Sequence, residues 1–72
     1  PGLHTLSECC FKYRNSPIRL TNLVDFYKTP EECFYKAIVF ETKKGIKICV
    51  NPKVAWVKQA VEMLQVKKEL HA

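Results

Sequence analysis

Two adjacent cysteines near the start of the chain constrain its fold more than any other feature. Cys9 and Cys10 are neighbours, whereas Cys33 and Cys49 follow singly. A bridge between sequence neighbours closes a strained small ring, so we expect each of the pair to bond to a distant cysteine. That leaves two of the three connectivities that four cysteines allow. Four cysteines in a short chain are typical of a secreted domain held by two disulfides.

The length of the chain makes such covalent support important. A domain of 72 residues buries only about 60% of its unfolded surface. Disulfides that close loops of this size contribute about 3–4 kcal/mol each in the chain-entropy model. We see neither repeats nor linkers and predict one domain over residues 1–72, with a disulfide-stapled core at 9–72. The aperiodic segment 1–8 is predicted to be a flexible head.

Charge and motif content narrow the function classes. The chain carries twelve Lys and Arg against seven Asp and Glu, a net charge of +5, which favours a polyanionic partner or an acidic receptor surface. It has no CxxC motif, and His4 and His71 stand near opposite ends, so we predict no metal ion and no cofactor. We expect no membrane insertion, because no apolar run approaches about 20 residues. We also predict no nucleic-acid partner. We find no nucleophile–base constellation and predict no enzyme.

Three segments have the composition of β-strands. The first, Leu23–Lys28, is aromatic and β-branched, and the second, at 36–42, alternates in polarity. The third, at 46–50, follows a Lys-Lys-Gly turn at 43–45, which predicts a hairpin. One face of the second strand is expected to carry Ile38 and Phe40, and the other Val39 and Glu41. The inward side chains of the third are predicted to be Ile46, Ile48 and Val50.

The remaining residues predict a helix. Asn51 is a favoured N-cap and Pro52 suits a first helical position. An apolar stripe follows with helical spacing, made of Val57, Ala60, Val61 and Leu64. We expect Trp56 and Met63 to extend its buried surface. The predicted fold class is therefore α+β, with a three-stranded antiparallel meander covered by one C-terminal helix.

The ordered set of motifs resembles the CC chemokine family, whose fold is interleukin-8-like. The set of motifs begins with Cys9-Cys10-Phe11-x-Tyr13. It continues with Ala37-Ile38-Val39-Phe40-x-Thr42-Lys43-Lys44. It ends with Cys49-x-Asn51-Pro52-Lys53 and Trp56-Val57. The resemblance covers nearly the whole chain. It implies the pairing Cys9–Cys33 and Cys10–Cys49, and a secreted protein that activates a G-protein-coupled chemokine receptor and directs leukocyte chemotaxis.

The same resemblance implies two binding regions besides the head. In the family the N-terminal segment triggers the receptor, here Pro1, Gly2, Leu3, His4, Thr5, Leu6, Ser7 and Glu8. The loop after the cysteine pair grips the acidic receptor tail, and its candidate residues are Phe11, Lys12, Tyr13, Arg14 and Arg19. A basic cluster at the hairpin commonly holds glycosaminoglycan, with Lys43, Lys44 and Lys47 as the candidates. The family often dimerises around the cysteine pair, so a homodimer and a monomer both stay open.

Alternatives remain for each of these interpretations. Phe11 or Tyr13 is also compatible with packing beneath the loop, and the lysine turn with a merely solvated surface. The cationic amphipathic helix is compatible with antimicrobial action on anionic bilayers. An antagonist or decoy would share the fold and differ only in what the head does.

Overall fold

The structure, a computed structural model, describes residues 9–70 and has the predicted α+β architecture. Strands β1 (Leu23–Lys28), β2 (Ile38–Thr42) and β3 (Lys47–Val50) form an antiparallel sheet in the order β1-β2-β3. A short 3₁₀ turn (Leu20–Asn22) leads into β1, and helix α1 (Ala55–Leu70) follows β3. The predicted meander and C-terminal helix are confirmed. The predicted flexible head at 1–8 lies outside the described residues.

One side of the sheet, the helix face, carries the main core. Alternation along the strands directs Ile38 and Phe40 of β2 toward α1, as predicted, and Val50 of β3 joins them. Phe40 and Val50 are fully buried, and the Phe40 ring lies 5.9 Å from that of Trp56. The predicted helical stripe supplies the other layer, with Val57, Ala60 and Leu64 buried and Val61 packed against them.

The opposite side, the cystine face, has a smaller core. Val39 is 3% exposed and packs with Cys10 and Ala37. Partly buried residues complete this cluster, namely Tyr13, Tyr27 and Cys49. The loop after the cysteine pair therefore covers this face in place of a second helix.

The helix begins later than the sequence predicts. Asn51 is not its N-cap, because the first helical residue, Ala55, lies well beyond it. The Asn51 side-chain oxygen accepts a hydrogen bond from the Lys53 amide at 2.9 Å within a separate turn. The Val54 amide donates to the Asn51 carbonyl at 3.3 Å, which closes a separate turn around Pro52. The first helical bond runs from the Lys58 amide to the Val54 carbonyl at 3.2 Å. Helix α1 consequently starts at Ala55.

Two predicted core residues are exposed instead. Ile46 is 55% exposed, because it precedes β3 and closes the hairpin turn. Its carbonyl accepts the Thr42 amide at 2.9 Å, and its amide donates to the Thr42 hydroxyl at 3.2 Å. Met63 is 51% exposed, since it lies about 110° around the helix from the centre of the apolar stripe. Strand β2 also begins two residues later than predicted, at Ile38. Strand alternation therefore fails at the end of β3, and a residue that only flanks the helical stripe does not extend the buried surface.

Candidate functional site

Two disulfides hold the loop after the cysteine pair against the sheet. Cys9 is bonded to Cys33 and Cys10 to Cys49, with Cα–Cα distances of 5.5 and 6.0 Å. This is the pairing that the family resemblance implies. Cys10 is only 2% exposed, so the second bridge passes through the core of the cystine face. The candidate activating segment, Pro1 to Glu8, lies outside the described residues and joins the chain at this fixed point.

Hydrogen bonds extend the attachment of the loop to the sheet. The Arg14 amide donates to the Cys49 carbonyl at 2.8 Å, and the Tyr13 hydroxyl donates to the Lys36 carbonyl at 2.6 Å. Tyr13 is half-buried and packs on the cystine face, which agrees with the alternative that it packs beneath the loop. Phe11, by contrast, is 75% exposed and does not pack beneath the loop. A large apolar ring held in solvent is available for contact with a partner.

A shallow groove, the cystine groove, runs between this loop and β3. Its volume is about 410 Å³, and the cystine Cys10–Cys49 forms part of its lining. Its rim carries one exposed aromatic and three exposed cationic side chains, namely Phe11, Lys12, Arg14 and Lys47. The Arg14 Nε–H donates to the Ser16 hydroxyl at 3.1 Å. Among residues 9–70 the other guanidinium donors have no partner and can meet a carboxylate or sulfate. The groove thus suits an extended anionic segment.

Arg19 stands apart from these residues. It is exposed and immediately precedes the 3₁₀ turn, where its carbonyl accepts the Asn22 amide at 3.0 Å. It does not line the cystine groove. The structure therefore brings Phe11, Lys12 and Arg14 together and leaves Arg19 outside their groove.

The hairpin residues Lys43, Lys44 and Lys47 are all exposed, as a solvated turn requires. The side chains of Lys43 and Lys47 nevertheless lie at different surfaces of the molecule. Gly45 has a positive φ of 83°, which lets the chain reverse tightly between β2 and β3. Lys47 turns to the cystine face, where its Nζ lies 5.8 Å from the centroid of the Tyr27 ring. Lys43 lines a second groove of about 490 Å³, the helix groove, together with Lys67 and Lys68 of α1.

An ion pair ties the end of the helix to β1. Lys68 Nζ lies 2.5 Å from the Asp25 carboxylate and 5.1 Å from the centroid of the Phe26 ring. The hydrogen bond from Lys68, followed by the one from the Phe26 amide, holds the pKa of Asp25 below its usual value of 3.8. Both side chains of the pair remain about half exposed, so solvent screens their attraction.

The sequence reasoning missed an aromatic patch next to the first disulfide. Phe34 is 87% exposed and makes an edge contact with Tyr35, the ring centroids lying 4.9 Å apart. The ring of Tyr35 lies in turn 6.2 Å from that of Tyr13. The available signal was the pair of adjacent aromatics directly after Cys33, in a stretch with no strand period.

Comparison with known proteins identifies the family. Residues 7–64 match the family model of small cytokines (intecrine/chemokine), interleukin-8 like. C-C motif chemokine 3 of Canis lupus familiaris is 39% identical over 66 residues, which are 92% of this chain and 72% of that protein. C-C motif chemokine 26 of Homo sapiens is 34% identical over 69 residues, or 96% and 73% of the two chains. The chain belongs to the chemokine family, which consists of signalling proteins and not enzymes, and its relatives carry the C-C motif.

Solved structures agree with this assignment. A reconstructed XCL1 ancestor superposes with a TM-score of 0.76 at 42% identity, covering 81% of this chain and 92% of that one. Viral macrophage inflammatory protein-II gives a TM-score of 0.75 at 30% identity, covering 78% and 82%. Within residues 9–70, no helix is long and apolar enough to cross a membrane.

Proposed function

We propose that this chain is a secreted CC chemokine that binds and activates a G-protein-coupled chemokine receptor and so directs leukocyte migration. Its membership of the chemokine family supports the general function, and members of that family are secreted. The observation that carries the proposal is the cystine groove, where Phe11, Lys12 and Arg14 surround the Cys10–Cys49 cystine. The neighbouring Cys9–Cys33 bond fixes the base of the head. An exposed recognition loop and a tethered head are what a two-point receptor ligand needs.

The cystine groove is the proposed site for the acidic N-terminal tail of the receptor. Lys12 and Arg14 provide cations that pair with carboxylates or tyrosine sulfates, and Phe11 provides apolar contact area. The disulfide and the Arg14–Cys49 hydrogen bond hold the loop before a ligand arrives, which reduces the ordering entropy lost on binding. Arg19 lies outside the groove and is proposed to contact a different part of the tail.

The segment Pro1 to Glu8 is the proposed activating element. It precedes Cys9, whose bond to Cys33 fixes where it leaves the folded body. Docking of the loop on the receptor tail would then bring the segment to the helical bundle at high effective concentration. Activation and binding are thereby assigned to different parts of the chain.

The exposed hairpin cations are the proposed contacts for glycosaminoglycan. Lys43, Lys44 and Lys47 lie within one turn and its flanks, all in solvent. Sulfate groups attract such a cluster, and the attraction weakens as salt concentration rises. Homodimer formation remains a prediction from the family resemblance.

The structure weakens the antimicrobial alternative. A helix that lies on a bilayer needs its apolar face free, but Val57, Ala60 and Leu64 of α1 are buried against the sheet. Helix-driven lysis would therefore require α1 to detach and expose the main core. An antagonist or decoy function is compatible with the same geometry and is separated from agonism by experiment.

The test compares the intact chain with a chain lacking residues 1–8 in cells that each express one chemokine receptor. We expect calcium flux and migration from the intact chain at some receptor, and binding without signalling from the truncated chain. The double variant Lys12→Ala with Arg14→Ala should lose receptor affinity, whereas the matched pair Lys36→Ala with Lys58→Ala, which removes the same charge elsewhere, should not. Binding of the intact chain without any signal would favour an antagonist, and absence of binding across all receptors would refute the proposal.

A further inference from the structure

The side of α1 that faces away from the sheet carries apolar residues that the main core does not use. Met63 is 51% exposed and Val66 is 54% exposed. Leu20, in the 3₁₀ turn, is 37% exposed and joins them in lining a groove of about 440 Å³. At about 100° of rotation per residue, the line through Gln59, Met63 and Val66 lies roughly 140° from the buried stripe. These three residues form a second stripe, the outer stripe, on the solvent side of the helix.

The outer stripe has the spacing of a coiled-coil seam. Met63 follows Gln59 by four residues and Val66 follows Met63 by three, and Leu70 continues the series in the sequence. Such a 4-3 alternation keeps one narrow line of a helix against a second helix. The buried stripe is broader, because it includes both Ala60 and its neighbour Val61, as a helix that packs on a sheet requires. The spacing therefore indicates a second helix as the occupant of the outer stripe.

Two opposite charges flank the outer stripe. Glu62 directly precedes Met63 and Lys67 directly follows Val66, which places each charge roughly 70° from the centre of the stripe, on opposite sides. Both side chains are exposed, and within residues 9–70 neither forms an ion pair. In a heptad these are the g and e positions, whose charges pair between two helices and select the partner.

A second copy of this chain satisfies both charges at once. When two α1 helices pack side by side in parallel, the two-fold axis runs along them and brings opposite flanks together. Glu62 of each copy then meets Lys67 of the other, so the ion pair forms twice. In an antiparallel pair like flanks meet, and Glu62 would face the acidic flank of the second helix, which also carries Glu69. The charges therefore favour the parallel pair.

We propose that the outer stripe of α1 is a homodimer interface, in which two helices pack in parallel around Met63 and Val66. The inference goes beyond the proposed function, which leaves the surface used for dimerisation open. Interfaces that bury less than about 1,200 Å² are typical of weak association, and this stripe is only about three helical turns long. We therefore expect a dissociation constant above about 10 μM.

This dimer has a consequence for recognition. Helix α1 packs on the helix face, whereas the cystine groove lies between the loop and β3. Each copy in the dimer consequently keeps its candidate receptor site in solvent. A dimer around the cysteine pair would instead cover the base of the head.

Sedimentation equilibrium of the full chain tests the charged part of the interface. Glu62→Lys should weaken the dimer by about 5- to 25-fold, because two ion pairs are lost and each exposed pair contributes up to about a fivefold change. Glu62→Lys combined with Lys67→Glu should restore the parent affinity, since the charges are exchanged. The matched control is Glu32→Lys, which makes the same charge change in the exposed loop between β1 and β2 and should alter the affinity less than about twofold.

The apolar part is tested by changing Met63. Met63→Lys should abolish association over the measured range, whereas Met63→Leu should preserve it, and circular dichroism checks that both are folded. A chain that lacks residues 1–8 should still dimerise, which separates this interface from one around the cysteine pair. Calcium flux induced by Met63→Lys should equal that of the parent, so the receptor assays stay independent of this test.

Four outcomes would contradict the proposal. A chain that stays monomeric at millimolar concentration would overturn it, and so would a dimer that Met63→Lys leaves intact. A tighter dimer in Glu62→Lys would overturn the parallel arrangement. Binding of a monomeric chain to vesicles of anionic lipid, if Met63→Lys abolishes it, would assign the outer stripe to a membrane surface instead.

Discussion

The helix face and the cystine face of the sheet are stabilised in different ways. The helix face buries seven apolar residues in one cluster by packing alone, namely Leu23, Ile38, Phe40, Val50, Val57, Ala60 and Leu64. The cystine face buries Cys10, Ala37 and Val39, and a disulfide together with hydrogen bonds from the loop supplies the rest. The main apolar core thus lies on the face away from the candidate recognition loop.

This difference follows from what a recognition surface requires. Residues that meet a partner must stay in solvent, so Phe11, Lys12 and Arg14 bury little area that would hold their own loop in place. A covalent bond between Cys10 and Cys49 fixes the loop without burying it. The main apolar core and the proposed recognition surface therefore lie on opposite faces, and the following substitutions test how each face is stabilised.

Phe40→Ala should have the largest effect on stability. The side chain is completely buried at the centre of the helix face, so its loss leaves a cavity and should lower the free energy of unfolding by about 3–5 kcal/mol. Urea unfolding measures the change. The matched control is Phe34→Ala, whose ring is 87% exposed and whose loss should change stability by less than about 0.5 kcal/mol. Equal costs for the two variants would contradict the assignment of the core.

Removal of the Cys10–Cys49 bridge by Cys10→Ala with Cys49→Ala should have the second-largest effect on the free energy of unfolding. The bridge closes a loop of 39 residues in sequence, and its loss should cost about 2–4 kcal/mol. This cost comes chiefly from a freer unfolded state, so the denaturant slope m should rise, whereas Phe40→Ala should leave it unchanged. An unaltered slope in the cysteine variant would show that the two faces are stabilised alike.

Tyr13→Phe should have a smaller effect, confined to the cystine face. It removes only the hydroxyl that donates to the Lys36 carbonyl, which should cost about 0.5–1.5 kcal/mol in urea unfolding. Tyr35→Phe is the control, because within residues 9–70 its hydroxyl has no hydrogen-bond partner. A loss in Tyr35→Phe as large as in Tyr13→Phe would remove the support for a hydrogen-bonded loop.

Asp25→Asn should have the smallest effect and a distinct dependence on pH. An exposed ion pair such as Asp25–Lys68 contributes about 0.2–1 kcal/mol. Because the folded-state pKa of Asp25 is depressed, this stability is present above 3.8 and is lost as pH falls through the lower folded value. Unfolding curves of the parent and the variant should therefore differ near neutral pH and converge in acid. A constant difference throughout that range would show that Asp25 is not the titrating group.

Local sequence patterns predicted the elements well and their ends poorly. The stripe on α1 follows from periodicity, because burial on one face selects for it. Strand Leu23–Lys28 follows from its aromatic and β-branched composition. The start of α1 does not follow, since Asn51 and Pro52 favour a turn as much as a helix. Ile46 shows the same limit, because strand alternation stops where β3 gives way to the turn.

The candidate site was predictable as a set of residues and not as an arrangement. The exposure of Phe11, Lys12 and Arg14 agrees with their prediction as contact residues, but nothing in their spacing places Lys47 beside them. That neighbourhood depends on the bridge between Cys10 and Cys49, which joins parts of the chain far apart in sequence. The position of Lys43 and Lys67 in the same groove likewise depends on how α1 crosses the sheet.

One residue, Cys49, holds both ends of a short stretch of the loop. Its sulfur is bonded to Cys10, and its carbonyl accepts the amide of Arg14. Phe11, Lys12 and Tyr13 are therefore enclosed in a macrocycle, closed by one covalent bond and one hydrogen bond. A cyclised ligand loses little freedom on binding, so changes to its side chains should appear mainly as faster dissociation from the proposed receptor.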